Sequence, residues 1–171
     1  AHFVGHSLGG AIVLKTAIDH PGKTASLTLI GSAGLGPDIN DSYLSGFISA
    51  ERRKDLKPHV EQLFSDPALV TRQLINDLLA FKRIDGVQAA LETIKAAFAP
   101  DGCQALIMRD EIEKLDIPIL VVWGSGDQII PVSHAEGLPS SLRVEVMGGQ
   151  GHMVQMEAAS EINKLIDDLI G

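Results

Sequence analysis

A parallel-sheet α/β fold carrying an inserted helical layer is the architecture this sequence predicts, and three observations predict it. Short runs of β-branched and apolar residues alternate with stretches of helical periodicity. The most apolar run, Ile117-Pro118-Ile119-Leu120-Val121-Val122-Trp123, is continuous rather than alternating, as in strands that a parallel sheet buries on both faces. Between the second and third runs lie about 75 residues of purely helical spacing, too many for an ordinary crossover. The expected layout is a sheet-bearing core of residues 1–35 and 116–171 with a helical cap at 36–115.

In chain order, residues 1–4 are a short apolar strand, and the turn Gly5-His6-Ser7-Leu8-Gly9-Gly10 follows at once. Residues 11–20 favour helix, and Pro21-Gly22 supplies the stop. Residues 26–30 form the second strand, and the Gly-rich stretch 31–37 is a loop by composition. Helical blocks are expected at 43–56, 59–64, 67–82, 86–98 and 104–115. Asp66 and Pro67 read as N-cap and first helical residue of the third block, whose apolar stripe is Leu69, Leu74, Leu78 and Phe81. After the third strand come a short helix near 131–138, a strand at 142–147 and a last helix at 155–170, with Ile162, Leu165, Ile166 and Leu169 on one side.

Charge and cysteine content narrow the partners and the setting. Fourteen Lys and Arg against 22 Asp and Glu give a net charge of −8, which disfavours nucleic acid and anionic membrane. No apolar run approaches the roughly 18 residues of a membrane span. The single cysteine, Cys103, cannot form an internal disulfide, so a cytoplasmic setting is expected. The chain opens inside an apolar run, Ala1-His2-Phe3-Val4, which reads as a fragment. Its open strand edge is expected to meet a front half or a second chain, as in a dimer.

Gly5-His6-Ser7-Leu8-Gly9 fits Gly-x-Ser-x-Gly, and its setting between a strand and a helix is what a nucleophile elbow requires. Gly5 and Gly9 are expected to be needed because a Cβ at either flank would collide with backbone. The turn would present the Ser7 hydroxyl at the carboxyl edge of the sheet, above the positive end of a helix dipole. A serine needs a base. Of the six histidines, His2 alternates within a strand, His20 closes a helix, and His6 sits in the elbow, unable to face the neighbouring hydroxyl. His59 and His134 fall in helical segments and read as solvated or capping. His152 follows a strand and the loop Gly148-Gly149-Gln150-Gly151, which parallel topology places on the elbow's edge. Asp127, in Gly124-Ser125-Gly126-Asp127, stands on that edge too and can fix the imidazole, or it can be a simple turn aspartate. Asp101 and Asp110 are rivals within or beside the helical insertion.

The order Ser7, Asp127, His152 is that of the α/β-hydrolases. The stretches VGHSLGG, PILVVWGSGDQIIP and GGQGHMVQME resemble that family's elbow, acid loop and histidine loop, and the likeness spans nearly the whole chain. Family members usually carry further strands before the elbow, and those are absent here. LIGSAGLGPDIN and LKPHVEQLFSDPALVTRQLINDLLAFKRIDGV are similar to the hydrolase-like domain of acyltransferase components from acetoin dehydrogenase complexes. The His-x-x-x-Asp-Gly motif of ordinary dehydrogenase-complex acyltransferases is missing, so acyl transfer would fall to Ser7.

The resemblance implies serine-based acyl transfer or hydrolysis on an ester or thioester, no directly bound cofactor, and a lipoyl group or coenzyme A as acyl acceptor. It also implies dehydrogenase-complex subunits as partners. The backbone N–H of Leu8 is the expected oxyanion donor, with a second donor from an earlier loop outside this chain, so the fragment alone is expected to be nearly inactive. Ile129, Met153 and Phe47 are pocket candidates, and among the other cap residues Tyr43, Leu63, Phe64, Leu78 and Phe81 offer apolar surface. No His-Glu-x-x-His or paired-cysteine spacing suggests a metal, and Gly34-Leu35-Gly36 lacks the third glycine of a dinucleotide site. Two other readings stand beside acyl transfer: a non-catalytic interaction domain of a dehydrogenase complex, and a carbon–carbon bond hydrolase.

Overall fold

The computed structural model describes residues 1–171. Four parallel strands, β1 (His2–His6), β2 (Ser26–Ile30), β3 (Ile119–Gly124) and β4 (Arg143–Met147), lie in that order across one sheet. The register sets Phe3 beside Leu27, Leu29 beside Val121, and Trp123 beside Val146. Helix α1 (Leu8–Asp19) makes the first crossover. The second runs through α2 (Asp41–Ser49), α3 (Arg53–Glu61), α4 (Arg72–Lys82), α5 (Val87–Phe98) and the short α6 (Arg109–Ile112). After β4 the chain closes with α7 (Val154–Glu157) and α8 (Ala159–Ile170).

Every residue of β2 and β3 is buried, because both faces of these central strands are covered. Leu27, Leu29, Val121 and Trp123 pack against Leu14 and Ala17 of α1 and Ile112 of α6. Ile30, Leu120 and Val122 face the other way, onto Val154, Ala158 and Ile162. Each such side chain contributes about 1.5–3 kcal/mol by leaving water. Trp123 meets the one polar demand of a buried indole by donating Nε1–H to the Ile130 carbonyl at 3.0 Å. The cap has a smaller core of its own, built on Leu56, Val60, Phe64, Ile75 and Leu79. Met108 and Ile112, at the end of the helical segment, pack into the sheet's core.

Several expected helix limits change. The block at 43–56 breaks at Ala50, whose backbone is extended, and α3 then runs unbroken past Pro58. A proline there forgoes one intrahelical bond while its fixed φ still fits the helix. Asp66 and Pro67 open only a 3₁₀ turn, Pro67–Leu69, and the helix behind it is capped by Thr71, whose hydroxyl accepts the Leu74 N–H at 3.1 Å. The buried residues of α4 are Ile75, Leu79 and Lys82, while Leu69 and Phe81 are exposed. The block at 104–115 is helical only at Arg109–Ile112. Buried Gln104 spends its amide on the loop after β2, accepting from the Gly34 N–H and donating to the Asp38 carbonyl, both at 2.8 Å. The expected helix at 131–138 shrinks to a 3₁₀ turn, Val132–Ala135, and the last helix is split at Ala158. No helix is long and apolar enough to cross a membrane.

Candidate active site

Because all four strands are parallel, their carboxyl ends share one edge, and the loops leaving them carry the predicted residues. Ser7 follows β1 and is the one non-glycine residue with positive φ, at 54° with ψ −124°. Such a backbone costs on the order of 1–3 kcal/mol and persists only where its surroundings impose it. Here the Ser7 N–H donates to the Ile30 carbonyl at 3.0 Å, and its carbonyl accepts from Gly10 and Ala33 at 2.9 and 3.0 Å. Gly5 is required as expected, since a Cβ there would lie 2.5 Å from the Gly9 carbonyl oxygen and from Val13 Cγ2. The expectation for Gly9 is corrected: nothing lies within 4 Å of a Cβ at that position. The neighbour Gly10 is the second tight point, pressed against the Ser32 side chain. Leu8, the first residue of α1, has no intrahelical acceptor for its N–H and borders the same cavity as Ser7.

Asp127 and His152 meet at the ends of β3 and β4. His152 Nδ1 lies 2.7 Å from Asp127 Oδ2, with side-chain exposures of 2% and 0%. An ionised carboxylate only accepts, so the ring donates Nδ1–H and leaves Nε2 as the free base. The other oxygen, Oδ1, accepts the N–H groups of Ile129 and Ile130 at 2.8 and 3.0 Å. The two readings of Asp127, turn former and imidazole partner, are thus both satisfied by one carboxylate. Gly31, with φ of 48°, lies beneath the pair: a Cβ there would sit 3.3 Å from His152 Nδ1 and 3.4 Å from Asp127 Oδ2.

The loop bearing His152 is tied from three sides. Gly126 N–H donates to the Gln150 carbonyl at 2.8 Å, and Met153 N–H reaches across to Leu63 of the cap at 3.0 Å. Glu157 accepts the Gly151 N–H on one oxygen at 2.6 Å, and on the other the N–H and hydroxyl of Ser65 at 2.7 and 2.6 Å. His6, set aside in the sequence reading, supplies a further tie. Its Nε2–H donates to the His152 carbonyl at 2.9 Å, with the two ring centroids 4.6 Å apart. Burial, and then the nearness of His152, push its pKa down to about 4, so His6 stays neutral. The elbow pattern showed that His6 could not reach the hydroxyl, but nothing local could show whose backbone it holds.

The remaining histidines lie elsewhere. His134 is buried rather than solvated, with Nε2 3.1 Å from Asp38 Oδ2 and its ring edge-on to Trp123. His2 Nδ1 pairs with Ser26 Oγ at 2.8 Å, and His59 packs under Gly46 in the cap. Asp101 and Asp110 border no part of the Ser7 cavity.

That cavity holds about 310 Å³ between the sheet edge and the cap. Ser7, Leu8, His6 and His152 line it, and twelve of its sixteen lining residues are hydrophobic. The expected Ile129, Met153 and Phe47 all line it, as do Tyr43 and Leu63. Phe64 does not, being spent in the cap's core, and Leu78 and Phe81 do not reach it. Burial raises the Tyr43 phenol to about 12, so it is neutral. One wall was missed, that of α5, with Leu91, Ile94 and Phe98. Their i, i+3, i+7 spacing was visible, but not which way the stripe faces. A larger hollow of about 530 Å³ lies beside Glu51, Lys82 and Arg83 in the cap and touches none of these groups. No cluster of three or more His, Cys, Asp or Glu residues could hold a metal ion.

A family model for the alpha/beta hydrolase fold matches residues 1–159. The chain is 50% identical over 164 residues to a dihydrolipoyllysine-residue acetyltransferase component of the acetoin cleaving system from Pseudomonas putida, covering 96% of this chain and 44% of that protein. It is 42% identical over 171 residues to the component of the same name from Cupriavidus necator, covering 100% of this chain and 46% of that protein. The chain thus spans a little under half the length of either relative. Among solved structures, a meta-cleavage product hydrolase from Pseudomonas fluorescens IP01 superposes with a TM-score of 0.87 at 21% identity, over 99% of this chain and 64% of the other. That likeness shows the fold.

Proposed function

We propose, since the chain belongs to the α/β-hydrolase fold family, that Ser7 is an acyl-accepting nucleophile activated by His152 and Asp127. The observation that carries this reading is the strained Ser7 backbone and a buried His152–Asp127 pair, with Ser7 and His152 lining one apolar cavity. His152 Nε2 takes the hydroxyl proton as Ser7 Oγ attacks the carbonyl carbon of an ester or thioester. The carbonyl oxygen gains the negative charge, and the Leu8 N–H at the start of α1 donates to it. Collapse of the tetrahedral intermediate breaks the bond to the leaving oxygen or sulfur, which takes the proton from His152. Water or a thiol then attacks acyl-Ser7 by the same steps in reverse. The neutrality of His6 matters here, because a second cation would oppose the imidazolium formed at each step.

The acceptor is proposed to be a thiol, a dihydrolipoyl group or coenzyme A, because two relatives above 40% identity are named as dihydrolipoyllysine-residue acetyltransferase components. The partners are then other components of such a system. A cytoplasmic setting is proposed from the single cysteine, Cys103, which is exposed and unpaired.

The test is a fluorophosphonate probe followed by peptide mapping. An adduct on Ser7 that is lost in Ser7→Ala, together with faster release of acyl groups to dihydrolipoamide than to water, is the expected result. An unlabelled Ser7 in folded protein points to the non-catalytic interaction domain instead. Labelling without ester or thioester turnover, in protein that also supplies the second oxyanion donor, points to carbon–carbon hydrolysis.

A further inference from the structure

We infer that the site takes an uncharged acyl chain of about six to eight carbons, well beyond the acetyl group in the relatives' names. This rests on the acyl-transfer reading for its chemistry, while its evidence is the shape of the cavity. At about 30 Å³ per small group, as in liquid water, 310 Å³ admits roughly ten heavy atoms. An acetyl group brings three. It would leave most of a hydrophobic chamber without contacts, and a chamber this apolar gains little by filling with water.

Helix α5 gives the second argument. It has no buried residue, although its sequence carries an apolar stripe. Leu91, Ile94 and Phe98 turn that stripe toward the cavity; Phe98 also packs against the sheet's core, but Leu91 and Ile94 join no core, and Ile94 is left 45% exposed. An amphipathic helix ordinarily buries such a face. The missing partner is an alkyl chain running outward from Ser7 between α2 and α5. Lys95, the cavity's one lysine or arginine, already lies 2.9 Å from Asp41, whose carboxyl it holds below the usual range. A chain ending in a carboxylate would find that cation engaged.

Linear methyl ketones, which carry a carbonyl but no leaving group, test this by isothermal titration in the intact chain. Affinity should rise about four-fold per methylene and level off at six to eight carbons. Ile94→Trp, at an exposed position that tolerates bulk, should move the plateau two or three carbons shorter, and Phe98→Ala should move it longer. A ketone of the plateau length ending in a carboxylate should bind at least ten-fold more weakly. The same series should hold in Ser7→Ala, so the titration reports on the cavity even where Ser7 proves chemically inert. Affinity independent of chain length, an unmoved plateau in both variants, or equal binding of the carboxylate would overturn the inference.

Discussion

The sheet edge and the helical cap are built in opposite ways. At the edge, Ser7, Asp127 and His152 sit on short turns whose backbone groups are nearly all spoken for, with Gly5, Gly31 and Gly124 admitting no side chain without displacing a neighbour. At Gly124 the acid loop and the histidine loop touch backbone to backbone, against Gln150 and Gly151. The cap has a seven-residue core, two helices without a buried residue, α2 and α5, and exposed Phe81, Ile84 and Ile94. On the proposed function the difference is a division of labour: chemistry falls where geometry is over-determined, and ligand selection where packing is loose enough to be completed by the ligand.

The comparison breaks first at the edge. Ser7→Ala should abolish acyl turnover, a loss of up to roughly a million-fold where the second oxyanion donor is also supplied. Ser7→Gly should lose turnover to the same degree yet raise stability by about 1 kcal/mol in urea unfolding, because the positive φ is no longer strained. Asp127→Asn should cost about 10⁴-fold in kcat, since an amide donating to the ring imposes the wrong tautomer. An unchanged kcat in that variant would detach Asp127 from the mechanism.

Smaller effects sharpen the contrast. Gly5→Ala should destabilise by about 1–3 kcal/mol through overpacking, whereas Gly9→Ala, with open space around it, should stay near neutral by thermal unfolding. For His6, the folded pKa of about 4 lies below the unfolded 6.5, so the unfolded chain binds the extra proton. That contribution to stability is present above pH 6.5 and is lost as pH falls toward 4, on the order of 2–3 kcal/mol. His6→Gln should flatten this slope when unfolding is compared at pH 7.5 and 4.5. In the cap, Lys95→Met removes a half-exposed ion pair with Asp41 and should cost less than about 1 kcal/mol.

The site was legible where the signal is local. Gly-x-Ser-x-Gly marks a turn whose backbone is dictated within five residues, and the acid and histidine loops announce themselves by glycine at the ends of apolar runs. Their common edge follows from parallel topology alone. What stayed hidden depends on contacts far apart in sequence. The acceptor of His6 lies 146 positions away, and the donor to Glu157 from Ser65 lies 92 away. Gly31 looked like one more loop glycine until the His152–Asp127 pair was placed above it. The helix limits failed for a related reason. Ala50 and Ala158 carry no breaking signal of their own, and tertiary packing ends the helices there.

Glu157 has a consequence for how anything enters the cavity. Its two oxygens clasp the histidine loop at Gly151 and the cap at Ser65, tying the segment after α3 to the loop that bears His152. Were the whole cap to swing away, the imidazole would be pulled off station along with it. A ligand entering between α2 and α5 leaves that clasp closed, because neither helix contributes a donor to Glu157.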